Sequence, residues 1–248
     1  MTETIDRTGT RRGFSSLQKS LFGVLAFFFA IHPVFWYLET RVGIAQPVVS
    51  TVMVIVVVGC FATALALPWI RVGERRDWTR ADCLGAMIIV WVFIALIPRF
   101  VWELPWLLFF DRIVAGVESG SLWTYMWSPI LLGGDARYLT GDTLIVCMEW
   151  IALFAGIFEA YALFQFFRNG RRFTANQLSL IMAGMIVEVT LPAVYFGTEI
   201  ANNLQSMSSP VEMWVKFVLI NVLWCTMPLL TYFWGVRRLV DHNLRVRF

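Results

Sequence analysis

Long apolar runs separated by short polar segments dominate the chain. A helix crossing a bilayer needs roughly 20 mostly apolar residues. Six segments reach that length: 17–38, 47–70, 81–110, 138–167, 176–198 and 211–236. The third is longer than one crossing and is interrupted at Pro98. Strands of a membrane barrel would alternate apolar and polar residues, and these runs do not. The pattern therefore predicts an all-α integral membrane protein, a bundle of about six transmembrane helices. No internal repeat and no linker divides it.

Composition agrees. Of 248 residues, 58% are hydrophobic, against 45–50% in typical soluble domains. A formal charge of +3, from 20 basic and 17 acidic residues, gives no basic surface for nucleic acid. Cys60, Cys83, Cys147 and Cys225 stand in apolar runs without a CxxC pair, and are expected as buried packing residues. His32 and His242 form no ligand cluster, so neither a metal nor another cofactor is expected. The first 20 residues are polar and basic, and the apolar run after them is too long for a signal core. That run is read as the first transmembrane helix.

Arginine sets the orientation, because positive charge collects in short cytoplasmic loops. Arg7, Arg11, Arg12 and Lys19 cluster at the N-terminus, before or at the start of the first span. Arg71, Arg75, Arg76 and Arg80 lie between the second and third, Arg168, Arg171 and Arg172 between the fourth and fifth, and Arg237, Arg238, Arg245 and Arg247 after the sixth. The opposite loops hold Arg41, then Arg112 and Arg137, then Lys216. Both termini are thus expected on the cytoplasmic side. The C-terminal LRVRF has no lysine-type retrieval signal, which favours a bacterial plasma membrane over endoplasmic reticulum. The segment 111–137, with its WTYMWSP run, is expected either as an aromatic belt on the bilayer surface or as a lid over a pocket.

Charged residues inside the spans cost roughly 2.5–3.5 kcal/mol each at the bilayer centre, so they face the bundle interior and commonly serve function. The candidates are Arg99 and Glu103, Glu149 and Glu159, Glu188 and Glu199, and Asn221. Arg99 and Glu103 are four apart and share a face, flanked by Pro98 and Pro105, which are expected to open the backbone there. Glu188, Tyr195 and Glu199 share another face, and Asn221 and Trp224 a third. Glu159 lies nearer the basic end and is expected to pair with Arg168, Arg171 or Arg172. A purely structural alternative has Arg99 pairing with Glu103 or Glu149 to pin helices together.

Some stretches also resemble a known family. GGDARYLTGDTLIVCME (133–149), FVLINVLWCTMPLL (217–230), YFGTE (195–199) and RFVWELPW (99–106) look like segments of the EXPERA group, which includes emopamil-binding sterol Δ8–Δ7 isomerases and the sigma-2 receptor. The likeness runs over about 77–239. It implies a five-helix core, with the 17–38 helix as an addition. The expected organisation is a tail at 1–16, two N-terminal helices over 17–70, the EXPERA-like part at 77–239 and a tail at 240–248. By position, Glu103 and Glu149 match the two acidic residues of the isomerase site. Asn221 and Trp224 match groups near the ligand cation, and Tyr138 a pocket tyrosine. Arg99 stands where the isomerases have histidine. The resemblance further implies a possible homodimer.

Together these residues predict a catalytic set of Glu103, Glu149 and Arg99. Asn221, Trp224, Tyr138, Tyr195, Glu188 and Trp102 are expected to bind substrate. The chemistry expected is cofactor-free acid–base isomerisation or cyclisation of a steroid- or terpenoid-like lipid through a carbocation, with the surrounding membrane lipid as the other partner. The competing expectations are a non-catalytic sterol or lipid binder and, last, a transporter.

Overall fold

The computed structural model describes residues 14–133, 135–203, 213–240 and 245–248. Helix α1 is Ser16–Thr40, α2 is Gln46–Ala66 with a 3-10 turn after it, and α3 is Arg80–Ile97. A π-helical turn, Pro98–Glu103, joins α3 to α4 (Leu104–Leu108). Short helices follow: α5 (Phe110–Glu118), α6 (Ser128–Gly133) and α7 (Ala136–Thr140). The long α8 (Thr143–Arg168) and α9 (Ala175–Ala201) come next, and a second π-helical segment, Met213–Leu219, leads into α10 (Ile220–Val240). Among the described residues there is no strand, only one isolated bridge between Arg172 and Arg245.

Among the described residues, five helical stretches are long and apolar enough to cross a membrane: Ser16–Thr40, Gln46–Trp69, Arg80–Leu108, Thr143–Arg168 and Ala175–Ala201. The protein is thus a multi-pass helical bundle. The sixth expected span, 211–236, starts outside the described residues. Its described part packs against α9 as α10, but is not among those five. His242 also lies outside the described residues.

The starts of the long helices follow from local chemistry. Ser15, Thr79 and Thr174 cap α1, α3 and α9, each in a reciprocal capping box with the residue three on. Asp142 caps α8 by accepting from Leu144 and Ile145 N–H groups. Before it, Gly141 closes α7 at φ +65°, and a Cβ there would meet the Phe110 ring at 2.8 Å. Only glycine suits that junction, which sets the start of α8 and therefore the position of Glu149 two turns on.

The fourth span thus begins at Thr143 rather than at 138, leaving Tyr138 on the separate short helix α7. Cys60 and Cys83 are buried as expected, but Cys147 is exposed and Cys225 half-buried, so those two are not core residues. Both lie on helix faces turned out of the bundle, where an apolar run gives no hint of direction.

The segment 111–137 folds back onto the bundle. Trp102 Nε1 donates to Met126 O at 3.0 Å, and Trp127 Nε1 donates to Trp102 O at 3.1 Å. Helix α6 packs against α2. Met126, Pro129 and Ile130 from this segment line the central cavity.

Candidate active site

A cavity of about 320 Å³ opens inside the bundle, with mostly apolar walls. Sites for small ligands run from about 300 to 1,000 Å³. The nine residues expected to catalyse or to bind substrate line it: Arg99, Trp102, Glu103, Tyr138, Glu149, Glu188, Tyr195, Asn221 and Trp224; the candidates Glu159 and Glu199 do not. They come from α3 and its π-helical extension, α7, α8, α9 and α10.

The π-helical turn is the local device that makes this possible. It sits where Pro98 and Pro105 frame the sequence, and a wide turn re-aims side chains relative to an α-helix. Arg99 and Glu103 both lie on it. They nevertheless serve different clusters.

Glu103 and Glu149 stand side by side on the cavity wall, close enough to interact with each other. Both are only half-buried, because they face the cavity. Tyr138 donates its phenolic hydrogen to Glu149 Oε1. The Tyr138 ring is held edge-on by Trp102 (5.4 Å between centroids) and Trp106 (5.3 Å). Glu103 Oε2, by contrast, has no hydrogen-bond partner among the described residues. Carboxylate oxygens only accept, so a hydrogen bond between the two acids needs a hydrogen on one of them. Glu149 accepts the tyrosine hydrogen, an interaction that favours the negative charge on that member of the pair.

Arg99 does not pair with either of these acids. Its Nη1 meets Glu159 Oε2 at 2.5 Å and its Nη2 meets Glu188 Oε1 at 2.5 Å. The guanidinium is 3% exposed and both carboxylates 0%. This corrects two expectations. Glu159 is no partner of the loop arginines, and the pinning contact of Arg99 is with Glu159 and Glu188 rather than Glu103 or Glu149. On α8, Glu159 lies ten residues past Glu149, about 15 Å along the axis, and Arg99 reaches it from α3. Two helical glycines make the room. A Cβ on Gly156 would stand 2.8 Å from Arg99 Cδ, and one on Gly184 would stand 1.9 Å from Glu159 Oε1.

A third polar cluster closes one side of the cavity. Tyr195 donates to Asp135 Oδ2 at 2.7 Å, and Arg137 pairs with Asp135 at 2.5 Å and with Glu199 at 2.7 Å. The Arg137 guanidinium also lies over the Tyr195 ring at 4.7 Å. Tyr195 thus contributes a wall tied to α7 and its flanking loop.

On the other side, aromatic faces line the space. Trp224 packs against Trp91 (5.3 Å, edge-on) and Phe61 (5.7 Å), and Phe61 stacks on Phe28 (5.6 Å). Asn221 is on the same helix face as Trp224, three residues before it.

Sequence reasoning set Glu159 aside for the loop arginines and missed Asp135 and His32 as parts of this neighbourhood. Asp135 and His32 line the cavity, and Glu159 stands behind Arg99. For Glu159 a signal existed: Gly184 and Glu188 lie four apart on one face of α9, a small residue opposite a buried acid. His32 had no neighbour in sequence to mark it. Among the described residues no group of His, Cys, Asp and Glu suits a metal ion.

No family model matches the chain. Similarity does extend to curated proteins named 3-beta-hydroxysteroid-Delta(8),Delta(7)-isomerase. The Rattus norvegicus protein is 27% identical over 139 residues, covering 55% of this chain and 57% of that protein. The Cavia porcellus protein is 28% identical over 136 residues, 54% and 56%. The Mus musculus protein is 29% identical over 115 residues, 45% and 48%. The chain spans about half the length of the curated relatives it matches.

Proposed function

We propose that the protein is a cofactor-free acid–base isomerase that moves a carbon–carbon double bond in a sterol-like lipid held in the central cavity. The observation that carries this reading is the Glu103–Glu149 contact, with Tyr138 on Glu149, at the wall of an apolar space. The similarity to proteins named for a Δ8–Δ7 steroid isomerisation supports the same chemistry.

Such a shift needs one proton added and one removed. With the negative charge on Glu149, Glu103 protonates one carbon of the double bond, and its neighbour becomes a cation. Glu149 takes a proton from the adjacent carbon, and the new double bond forms. The proton then passes from Glu149 to the adjacent Glu103, which resets the pair. No net proton is gained or lost, so no outside acid is consumed.

The cation is stabilised by charge and by aromatic faces in a dry site. Glu159 and Glu188 are brought close together by their shared partner Arg99. If each acid pair keeps one proton, four carboxyls carry two negative charges against the one positive charge of Arg99. The net negative field favours a carbocation. Trp224 presents its ring to the same space. Arg99, occupied by two carboxylates, is a positioning residue: it anchors the turn that carries Glu103 to α8 and α9.

The membrane setting fits a substrate that lives in lipid, and the expected orientation puts both termini on the cytoplasmic side. The test is direct. Purified protein in lipid nanodiscs is incubated with a 3β-hydroxy-Δ8-sterol, and the products are separated by gas chromatography and mass spectrometry. The reading requires a Δ7 product that depends on Glu149. Unchanged sterol at high enzyme concentration contradicts it.

A further inference from the structure

His32 lies on α1, in the part of the chain before the region of family resemblance, yet its imidazole sits on the cavity wall. The residue is 3% exposed. Its Nδ1 is 2.6 Å from Phe28 O, one turn earlier on the same helix. A carbonyl oxygen only accepts, so the hydrogen is on Nδ1, and the neutral ring offers Nε2 as an acceptor. Phe28 (4.7 Å) and Phe35 (6.5 Å) hold the ring edge-on. Among the described residues Nε2 has no hydrogen-bond partner. An acceptor that reaches the cavity without a protein partner is open to a donor on a bound molecule.

Its rise along α1 is similar to that of Arg99 along α3 and the turn after it. Leu17 on α1 and Cys83 on α3 pack in the same apolar cluster, so the two helices start level. His32 follows Leu17 by fifteen residues, about 22 Å along the axis, and Arg99 follows Cys83 by sixteen, about 24 Å. These similar rises agree with His32 and Arg99, on the π-helical turn, both lining the same cavity.

We propose that His32 Nε2 accepts a hydrogen bond from a hydroxyl group of the lipid in the cavity, so that the site selects an alcohol over its ether, ester or ketone. An imidazole acceptor offers nothing to a group without a hydrogen. A site built to pair a hydroxyl rejects analogues lacking it, because its own polar atom is then left unmatched. The choice of a sterol alcohol rests on the isomerase reading, whereas the selection itself does not require turnover.

Equilibrium binding of a radiolabelled 3β-hydroxy-Δ8-sterol and of its 3-methyl ether, to the full chain in nanodiscs, tests this. The ether lacks the donor and adds one methyl group, so the comparison of wild type with His32→Phe, in which the added bulk is common, isolates the donor. The wild type is expected to prefer the alcohol by about tenfold, the worth of one good hydrogen bond. His32→Phe is expected to bind the alcohol as weakly as the ether, with its ether affinity matching the wild type, which reports an intact cavity. His32→Gln keeps a carbonyl acceptor and is expected to retain part of the preference. An unchanged preference in His32→Phe, or none in the wild type, overturns the proposal. If His32→Phe binds neither ligand, the Gln variant decides, and a full wild-type preference or none at all there overturns it. Binding of neither ligand to the wild type overturns both this inference and the sterol reading. A His32-dependent preference without conversion of the alcohol overturns the isomerase reading alone.

Discussion

Arg99 and Glu159 stand sixty residues apart in sequence, and their side chains meet at 2.5 Å with 3% and 0% exposure. Glu188 holds the other guanidinium nitrogen at the same distance. Three helices are thereby locked around one buried cation. Removing one partner of such a pair leaves an uncompensated charge, which costs about 3–5 kcal/mol. Arg99→Met is therefore expected to lower the thermal midpoint in detergent strongly, whereas Arg76→Met at an exposed loop position should leave it almost unchanged. Equal midpoints for the two variants would remove the lock.

The glycines around the lock give a finer test. Gly184→Ala drives a methyl group into Glu159, which Arg99 holds in place, so it should destabilise the protein and weaken the pair. Gly197, on the same helix α9, has nothing within 4 Å of where a Cβ would stand. Gly197→Ala should stabilise by about 0.5–1 kcal/mol, because alanine is the better helix former. Midpoints that move together for both variants would contradict the packing described.

Tyr138 and the two acids divide the proposed chemistry. Glu103→Gln and Glu149→Gln keep shape but lose proton transfer, so each should lower turnover by at least roughly 10²-fold while sterol binding persists. Tyr138→Phe removes a hydrogen bond to a charged group and should cost about 10-fold or more in turnover. Binding that falls in parallel with turnover in all three variants would point to a recognition role instead.

Five of the six expected spans, a break near Pro98 and most of the polar residues on the cavity wall were legible in the sequence, because each rests on local pattern: length of apolar run, proline placement, and polar residues that cannot face lipid. Pairing was not legible. Arg99 had several acids on neighbouring helices within reach, and helical spacing gives face but not azimuth between helices. Glu159 went to the wrong partner because distance along α8 was weighed without the crossing of α3. Cys147 was misjudged because an apolar run does not tell lipid-facing from core-facing positions. His32 was invisible because its meaning comes only from α1 packing beside α2 and the cavity.

Orientation follows from the arginine pattern. Small tags on the two ends should be reached by a membrane-impermeant reagent from the same, cytoplasmic side. Tags reached from opposite sides would break the expected even number of crossings.

The most direct measurement of the central claim is isotopic. Protein equilibrated in D₂O carries deuterium on the Glu103–Glu149 pair. In a single turnover with a 3β-hydroxy-Δ8-sterol, the account predicts a Δ7 product carrying one deuterium at the newly saturated carbon, and no such product in the same time from Glu149→Gln. A Δ7 product without deuterium, or one formed by Glu149→Gln at the wild-type rate, would contradict proton transfer by this pair.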